Sequence, residues 1–168
     1  MSKKIINRVA NSDLITIDLS DYAPDLKISE IDLKQFLEKG FILKEKGFRK
    51  ALKEFDFSIY ANKIVALFCS SNAIIPMWAY MLITSYLNPL ASKVYFGTRE
   101  EILQKIFAKN IKEIDVSEFE EKKVIVKGCS HIPLSENLYI AITKKLQPIV
   151  SSLMFGEACS AVPVFKKK

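Results

Sequence analysis

The sequence predicts a single α/β domain with a mainly parallel sheet and flanking helices. Three observations favour this class: helical and strand-like patterns alternate, the connections between strands are long enough for right-handed crossovers, and the alternation occurs twice. A length of 168 residues suits one domain with a full hydrophobic core. With 49% hydrophobic residues, 5 Gly and 6 Pro, the composition excludes a disordered or collagen-like chain.

The alternation comes from an internal repeat. When the sequence is moved along itself by about 59 residues, residues 48–58 fall on 107–117 with matching Phe, Lys, Glu, Asp and Ser positions. Further ordered matches follow through two prolines, two tyrosines and two Phe-Gly pairs. The predicted organisation is an N-terminal extension 1–41, a first repeat unit 42–97, a second repeat unit 101–156 and a tail 157–168.

Each repeat unit has the pattern helix, strand, helix, strand. In the first, apolar residues on one face predict a helix over Phe48–Phe55, and the run Ile64–Phe68 predicts a buried strand. Pro76 suits the first turn of the second helix, Asn88-Pro89 ends it, and Lys93–Phe96 predicts the closing strand.

The second repeat unit and the extension complete the predicted elements. The second unit is expected to form a helix over Ile102–Phe107, a strand over Val124–Lys127, a helix after Pro133 and a strand over Ser152–Phe155. In the extension, Leu14–Leu19 resembles a strand, and Asp32–Lys39 resembles a short helix that stops at Gly40. Both are expected to cap the sheet.

An uncharged window between Lys63 and Lys93 raises the question of a membrane span. Prolines and asparagines interrupt it, and the corresponding window of the second repeat unit contains Lys127, Glu136 and Lys144, which a bilayer interior rejects. We therefore expect no membrane segment. The first residues lack the apolar region of a secretory signal, and 3 Cys cannot form a disulfide framework, so we expect a cytoplasmic protein.

The net charge of +6 permits binding to nucleic acid, but the distribution of charge disfavours it. Most lysines alternate with glutamates, as in Lys44-Glu45-Lys46, which is typical of a solvated helix face. The duplicated units can associate within one chain or between chains, so a homo-oligomer is compatible with the sequence.

Cysteines follow the predicted strands at positions that suggest a site. Cys69 and Cys129 each come at the end of the first strand of a repeat unit, and Cys159 follows the last predicted strand. Because ligands bind at the carboxyl ends of parallel strands, we expect the three thiols to project from one sheet edge. With His131 they form a set that could hold zinc or an iron–sulfur cluster, although the spacing matches no standard metal motif.

Two other functions fit the same region. One thiolate at a helix N-terminus could act as a nucleophile or redox centre, with His131 as the available imidazole. Alternatively, Ser70, Ser71 and Ser130 at helix N-termini could bind an anionic ligand without catalysis. Buried cysteines that only fill the core are the structural alternative to all three functions.

The sequence also resembles a bacterial family catalogued as domain of unknown function 2480. The motifs that carry the resemblance are Asn7–Ser12, Val65–Ser70, Trp78–Met81, Lys127–Ser130 and Phe155–Ser160 with Val162-Pro163. The resemblance implies no particular activity. It implies iron–sulfur assembly proteins as partners, because genes of family members lie near genes for iron–sulfur assembly.

Overall fold

A computed structural model of the chain describes residues 14–24, 26–128 and 133–168. In chain order, the strands and α-helices are β1 (Leu14–Asp18), β2 (Ile28–Asp32), α1 (Glu45–Glu54), β3 (Ile64–Phe68), α2 (Met77–Leu87), β4 (Lys93–Phe96), α3 (Arg99–Glu113), β5 (Lys123–Lys127), α4 (Glu136–Leu146), β6 (Ser152–Phe155) and β7 (Val162–Lys166). Short 3₁₀ turns connect several of them.

The chain divides into two compact units. Asp25–Leu103 form one, which we call the contiguous unit, and Met1–Pro24 with Gln104–Lys168 form the other, which we call the discontinuous unit. β1 thus belongs to the discontinuous unit and β2 to β4 belong to the contiguous unit, and the chain passes back to the discontinuous unit within α3.

The contiguous unit contains a three-stranded parallel sheet in the order β2-β3-β4. The β3 sequence, Ile-Val-Ala-Leu-Phe, is nearly continuous in apolar residues because this central strand is covered on both faces. Helices α1 and α2 supply Phe48, Leu52 and Ile83 to a core in which these side chains are fully buried.

The discontinuous unit contains a four-stranded sheet in the order β1-β5-β6-β7. The first three strands are parallel and β7 runs antiparallel to β6. Pro163 lies in β7, where a residue without an N–H is tolerated because the strand is at the sheet edge. Phe107, Ile142 and Leu146 from α3 and α4 are buried in the core of this unit.

The predicted α/β class is confirmed, with mainly parallel strands and flanking helices. The strands form two sheets, however, where the sequence led us to expect one. The extension does not cap a single sheet: β1 is an edge strand of one sheet and β2 is an edge strand of the other. The expected helix at Asp32–Lys39 is a single 3₁₀ turn at Leu33–Phe36.

The backbones of the two units match at positions separated by the repeat spacing. Gly97 N–H donates to the Leu67 carbonyl at 3.0 Å, and Gly156 N–H donates to the Val126 carbonyl at the same distance. Both glycines have positive φ angles, +129° and +113°. Positions of the two units therefore correspond at a spacing of 59 residues in these backbone contacts, while the evolutionary duplication stays a prediction.

No helix in the described ranges has the length and apolar character needed to span a bilayer.

Candidate functional site

Cys69 lies directly after β3, as predicted, and is half-buried against the core of the contiguous unit. Its Sγ is 3.6 Å from the Ser71 hydroxyl oxygen. The expected helix N-terminus is not at this thiol, because α2 begins only at Met77 with Pro76 as its N-cap. The intervening residues form bends and irregular chain.

Ser70 and Ser71, the predicted anion-binding serines, are engaged within the chain. The Ser70 hydroxyl donates to Asp32 Oδ2 at 2.5 Å, and its backbone N–H donates to Asp32 Oδ1 at 3.0 Å. The Ser71 hydroxyl accepts the Ala73 N–H at 3.2 Å. The Asp32 carboxylate therefore sits where an anionic ligand of Ser70 would have to bind, and its negative charge would repel that ligand.

The other predicted site residues lie in the discontinuous unit or outside the described residues. Cys129, Ser130 and His131 lie outside the described residues. Cys159 is exposed in the turn between β6 and β7, in the discontinuous unit, whereas Cys69 belongs to the contiguous unit. Among the described residues, no three His, Cys, Asp or Glu side chains form a group that could hold a metal ion.

A different feature recurs in both units: an apolar cleft between the second helix and the strand that follows it. In the contiguous unit this cleft has a volume of about 400 Å³. The lining residues are Leu67, Met77, Tyr80, Thr84, Val94, Tyr95 and Phe96. The Tyr80 and Phe96 rings meet edge to face, with centroids 5.6 Å apart.

The discontinuous unit has the corresponding cleft, with a volume of about 280 Å³. The Tyr139 and Phe155 rings repeat the edge-to-face contact at 5.5 Å, and Thr143 takes the position of Thr84. Val164 of β7 lines this cleft as well. The smaller cleft is thus bordered by a strand that has no counterpart in the described part of the contiguous unit.

The tyrosines of the two clefts both have raised pKa values. Partial burial raises the pKa of Tyr80, and the nearby Cys69 thiol adds to this effect by repulsion between the ionised forms. Partial burial also raises the pKa of Tyr139, with repulsion from Asp18 as the second cause. Both hydroxyls are therefore protonated near neutral pH and available as hydrogen-bond donors.

The cleft of the contiguous unit is lined by exposed apolar side chains. In the described ranges the strand partner of β4 is β3. Met77 and Met81 on α2 are each 74% exposed, and Phe96 on β4 is 66% exposed. Exposed apolar side chains that are grouped in this way indicate an interaction surface.

The family model described as a protein of unknown function, DUF2480, matches residues 3–167. The chain belongs to this family. The resemblance inferred from the sequence motifs is therefore confirmed over nearly the whole chain. Comparison with curated proteins and with solved structures found no match.

Sequence reasoning identified the strand ends but missed the open cleft. Tyr80 and Phe96 matched Tyr139 and Phe155 in the repeat, so their equivalence was visible. The difference between the clefts depends on β7, and its Val-Pro-Val-Phe-Lys sequence contains a proline that obscures a strand pattern.

Proposed function

We propose that this protein is a non-catalytic binding module whose contiguous unit receives an extended apolar segment of a partner protein in the cleft between α2 and β4. One observation carries the proposal. In the discontinuous unit β7 borders the smaller cleft through Val164, whereas in the described part of the contiguous unit no such strand lines the larger cleft, and Met77 at its rim is 74% exposed. The discontinuous unit therefore provides an intramolecular example of the proposed complex.

Apolar contacts within the cleft would supply affinity in this mode, and its few polar groups would supply selectivity. Residues of an extended segment alternate between two faces, so every second side chain would point toward the cleft. The cleft offers apolar contacts from Met77 and Phe96 and hydroxyl groups from Tyr80 and Thr84. We expect an apolar residue of the partner to take the place that Val164 has in the other cleft.

The test uses a fluorescent synthetic peptide with the sequence of residues 160–168, in which Lys166, Lys167 and Lys168 are each replaced by Gln. We call it the neutral peptide. Fluorescence anisotropy measures its affinity for the full chain, and amide chemical shifts locate its binding. We expect saturable binding with shifts at residues 93–96. Absence of binding, or binding elsewhere, would contradict the proposal.

Matched variants define the surface. Met77→Glu introduces the residue type found at the corresponding α4 position, Glu136, and should weaken binding at least about fivefold by removing apolar contact. Ile140→Glu changes an exposed apolar residue on α4 and should leave affinity unchanged. Light scattering of the protein alone tests a second copy as the occupant; a dimer that Met77→Glu dissociates would replace the proposed function.

The metal-binding function predicted from sequence is a separate proposal. It would use Cys69, Cys129, Cys159 and His131 to hold zinc or an iron–sulfur cluster, and its support is their positions along the sequence. Metal analysis of protein purified without oxygen tests it, with Cys69→Ser as the comparison. Stoichiometric metal that the substitution removes is the expected result, and metal-free protein would exclude the function.

A further inference from the structure

We propose that the segment received between α2 and β4 carries an aromatic side chain, which enters the cleft at the place that Val164 has in the discontinuous unit. The inference rests on the proposed function and specifies the partner by the side chain that anchors it. It follows from a comparison of the two clefts, one of which contains its occupant within the chain.

The smaller cleft shows what kind of group a cleft of this construction receives. Val164 of β7 lines it together with Tyr139 and Phe155, and β7 pairs with β6, which borders the same cleft. With this valine in place the volume is about 280 Å³, compared with about 400 Å³ in the contiguous unit. The larger cleft therefore has room for a side chain bigger than valine.

The strand residues common to both clefts are matched in size. Leu67 and Val94 line the larger cleft, and Val126 and Leu153 line the smaller one at the corresponding positions. Each cleft thus has one leucine and one valine here, in exchanged order. A threonine and an edge-to-face ring pair also occur in both. The difference between the clefts lies in the remaining lining residues.

The first of these differences is an additional aromatic ring. Tyr95 of β4 is half-buried and takes the position that Met154 has in β6. The larger cleft therefore has three rings, from Tyr80, Tyr95 and Phe96, where the smaller cleft has two. Aromatic rings attract one another in edge-to-face and offset arrangements, beyond the effect of buried area. Three rings around one cleft favour a fourth ring over an aliphatic group.

The second difference is a thioether at the rim. Met77 lines the larger cleft and is 74% exposed, and its counterpart on α4 is Glu136. Thioether sulfur makes favourable contacts with the edges of aromatic rings, and the unbranched methionine side chain adapts to the shape of its partner. Met77 can therefore close over a ring that has entered the cleft.

Size alone gives a different expectation. The larger volume would also accept a leucine or a saturated ring, and burial of apolar area would then decide the affinity. On that basis a cyclohexyl group binds at least as tightly as a phenyl group, because it is slightly larger. Aromatic recognition predicts the reverse order, so the two groups at one peptide position distinguish the explanations.

The experiment starts from the neutral peptide with Phe165→Leu, which we call the reference peptide. Phe165 packs against the core of its own unit in the chain, and its removal leaves position 164 as the only place for a ring. Three further peptides replace Val164 of the reference peptide by Phe, Leu or cyclohexylalanine. Fluorescence anisotropy gives their affinities for the full chain, and amide chemical shifts at residues 93–96 locate the binding.

We expect the Val164→Phe peptide to bind about tenfold more tightly than the reference peptide and about fivefold more tightly than the cyclohexylalanine peptide. The Val164→Leu peptide should lie between the reference and Val164→Phe peptides. Equal binding of all four in the cleft, or tightest binding of the cyclohexylalanine peptide, would overturn this inference and leave the proposed function intact. If no peptide binds in the cleft, the proposed function itself fails.

Matched protein variants assign the preference to the third ring. Tyr95→Met introduces the residue type of Met154 and should remove the advantage of phenyl over cyclohexyl, with affinity for the reference peptide changed less than about twofold. Tyr95→Phe keeps the ring and should keep the advantage. An advantage that survives Tyr95→Met would contradict the role of this ring.

A small aromatic molecule is the other source of the same chemistry. Free N-acetylphenylalanine amide provides the ring without the rest of the segment, and we expect it to bind at least about a hundredfold more weakly than the Val164→Phe peptide. Equally tight binding of the amide would overturn the inference, because the occupant would then be a small molecule and not a protein segment.

Discussion

At the scale of single residues, the most frequent local device is an aspartate that caps a short turn. Asp18, Asp32, Asp56 and Asp115 each accept the N–H of the residue two positions later at 2.9–3.0 Å. Hydrogen bonds to the carboxylate lower the pKa of Asp56 and Asp115. At Asp32, partial burial favours the protonated form, but hydrogen bonds from Ser70 and Lys34 prevail and its pKa is lowered as well.

We predict that Asp32→Asn lowers the free energy of unfolding by about 1–2 kcal/mol at pH 7, because hydrogen bonds to a charged carboxylate are lost. Because the pKa of Asp32 is lower in the folded protein than in the unfolded chain, the ionised carboxylate stabilises the fold above the unfolded pKa of about 4. This stabilisation is lost as the pH falls through the folded pKa. The difference between wild type and variant should therefore shrink below pH 4. Urea unfolding at several pH values measures the difference in free energy of unfolding. A difference that does not change with pH would contradict the role given to the Asp32 carboxylate.

Two glycines should respond to alanine in opposite ways. Gly97 has a φ of +129°, and an added Cβ would lie 2.6 Å from Glu101 Oε2, so Gly97→Ala should destabilise by about 1–3 kcal/mol. Gly47 lies within α1 with only ordinary contacts around it, so Gly47→Ala should stabilise by about 0.5–1 kcal/mol. Thermal unfolding gives the midpoint temperature of each variant. If both midpoints shift in the same direction, the explanation from backbone conformation is wrong.

At the scale of elements, β7 distinguishes the two sheets. Phe165 of β7 packs against the core of the discontinuous unit, whereas Val162 is 59% exposed. The strand therefore contributes both apolar contact to its own unit and cover for the adjacent cleft. In the contiguous unit, whose described part has no such strand, Met77 and Met81 of α2 are exposed.

We predict that Phe165→Ala destabilises the discontinuous unit by about 2 kcal/mol, less than for a fully buried phenylalanine because this side chain is half-buried. Val162→Ala should change stability by less than about 0.5 kcal/mol. Hydrogen exchange of β6 amides reports the effect. Unchanged exchange in the Phe165 variant would show that β7 adds nothing to the unit.

Local sequence patterns predicted most elements but not their partners. The bounds of β3, β4 and β6 were predicted correctly because apolar runs, prolines and glycines mark them locally. β2 was missed because its Ile-Ser-Glu-Ile-Asp sequence is short and half polar. Sheet membership depends on contacts between distant segments, such as Leu14 with Lys123, which no local pattern encodes. The open cleft depends on sheet membership and was therefore beyond prediction.

At the scale of the whole molecule, the residues that the structure describes form two hydrophobic core clusters with no residue in common. Ile83 on α2 and Ile142 on α4 occupy corresponding positions and are 0% and 1% exposed. Each unit thus has a buried isoleucine at the corresponding helix position, and the effects of substituting the two isoleucines can be compared directly.

We predict that Ile83→Ala and Ile142→Ala each lower stability by about 2–4 kcal/mol through cavity formation. Native-state hydrogen exchange should locate the faster opening in the strands of the substituted unit, β2–β4 for Ile83 and β1, β5 and β6 for Ile142. Equal acceleration across all strands in either variant would show that the cores act as one.

The discontinuous unit also constrains the order of events during synthesis. Of the described strands β1 is translated first, yet its partner β5 is translated only after the contiguous unit and α3. Until then β1 has no native neighbour, whereas β2, β3 and β4 emerge in succession and can pair without delay. The nascent chain therefore carries the segment Leu-Ile-Thr-Ile-Asp without its native strand partner while the sheet of the contiguous unit can already form.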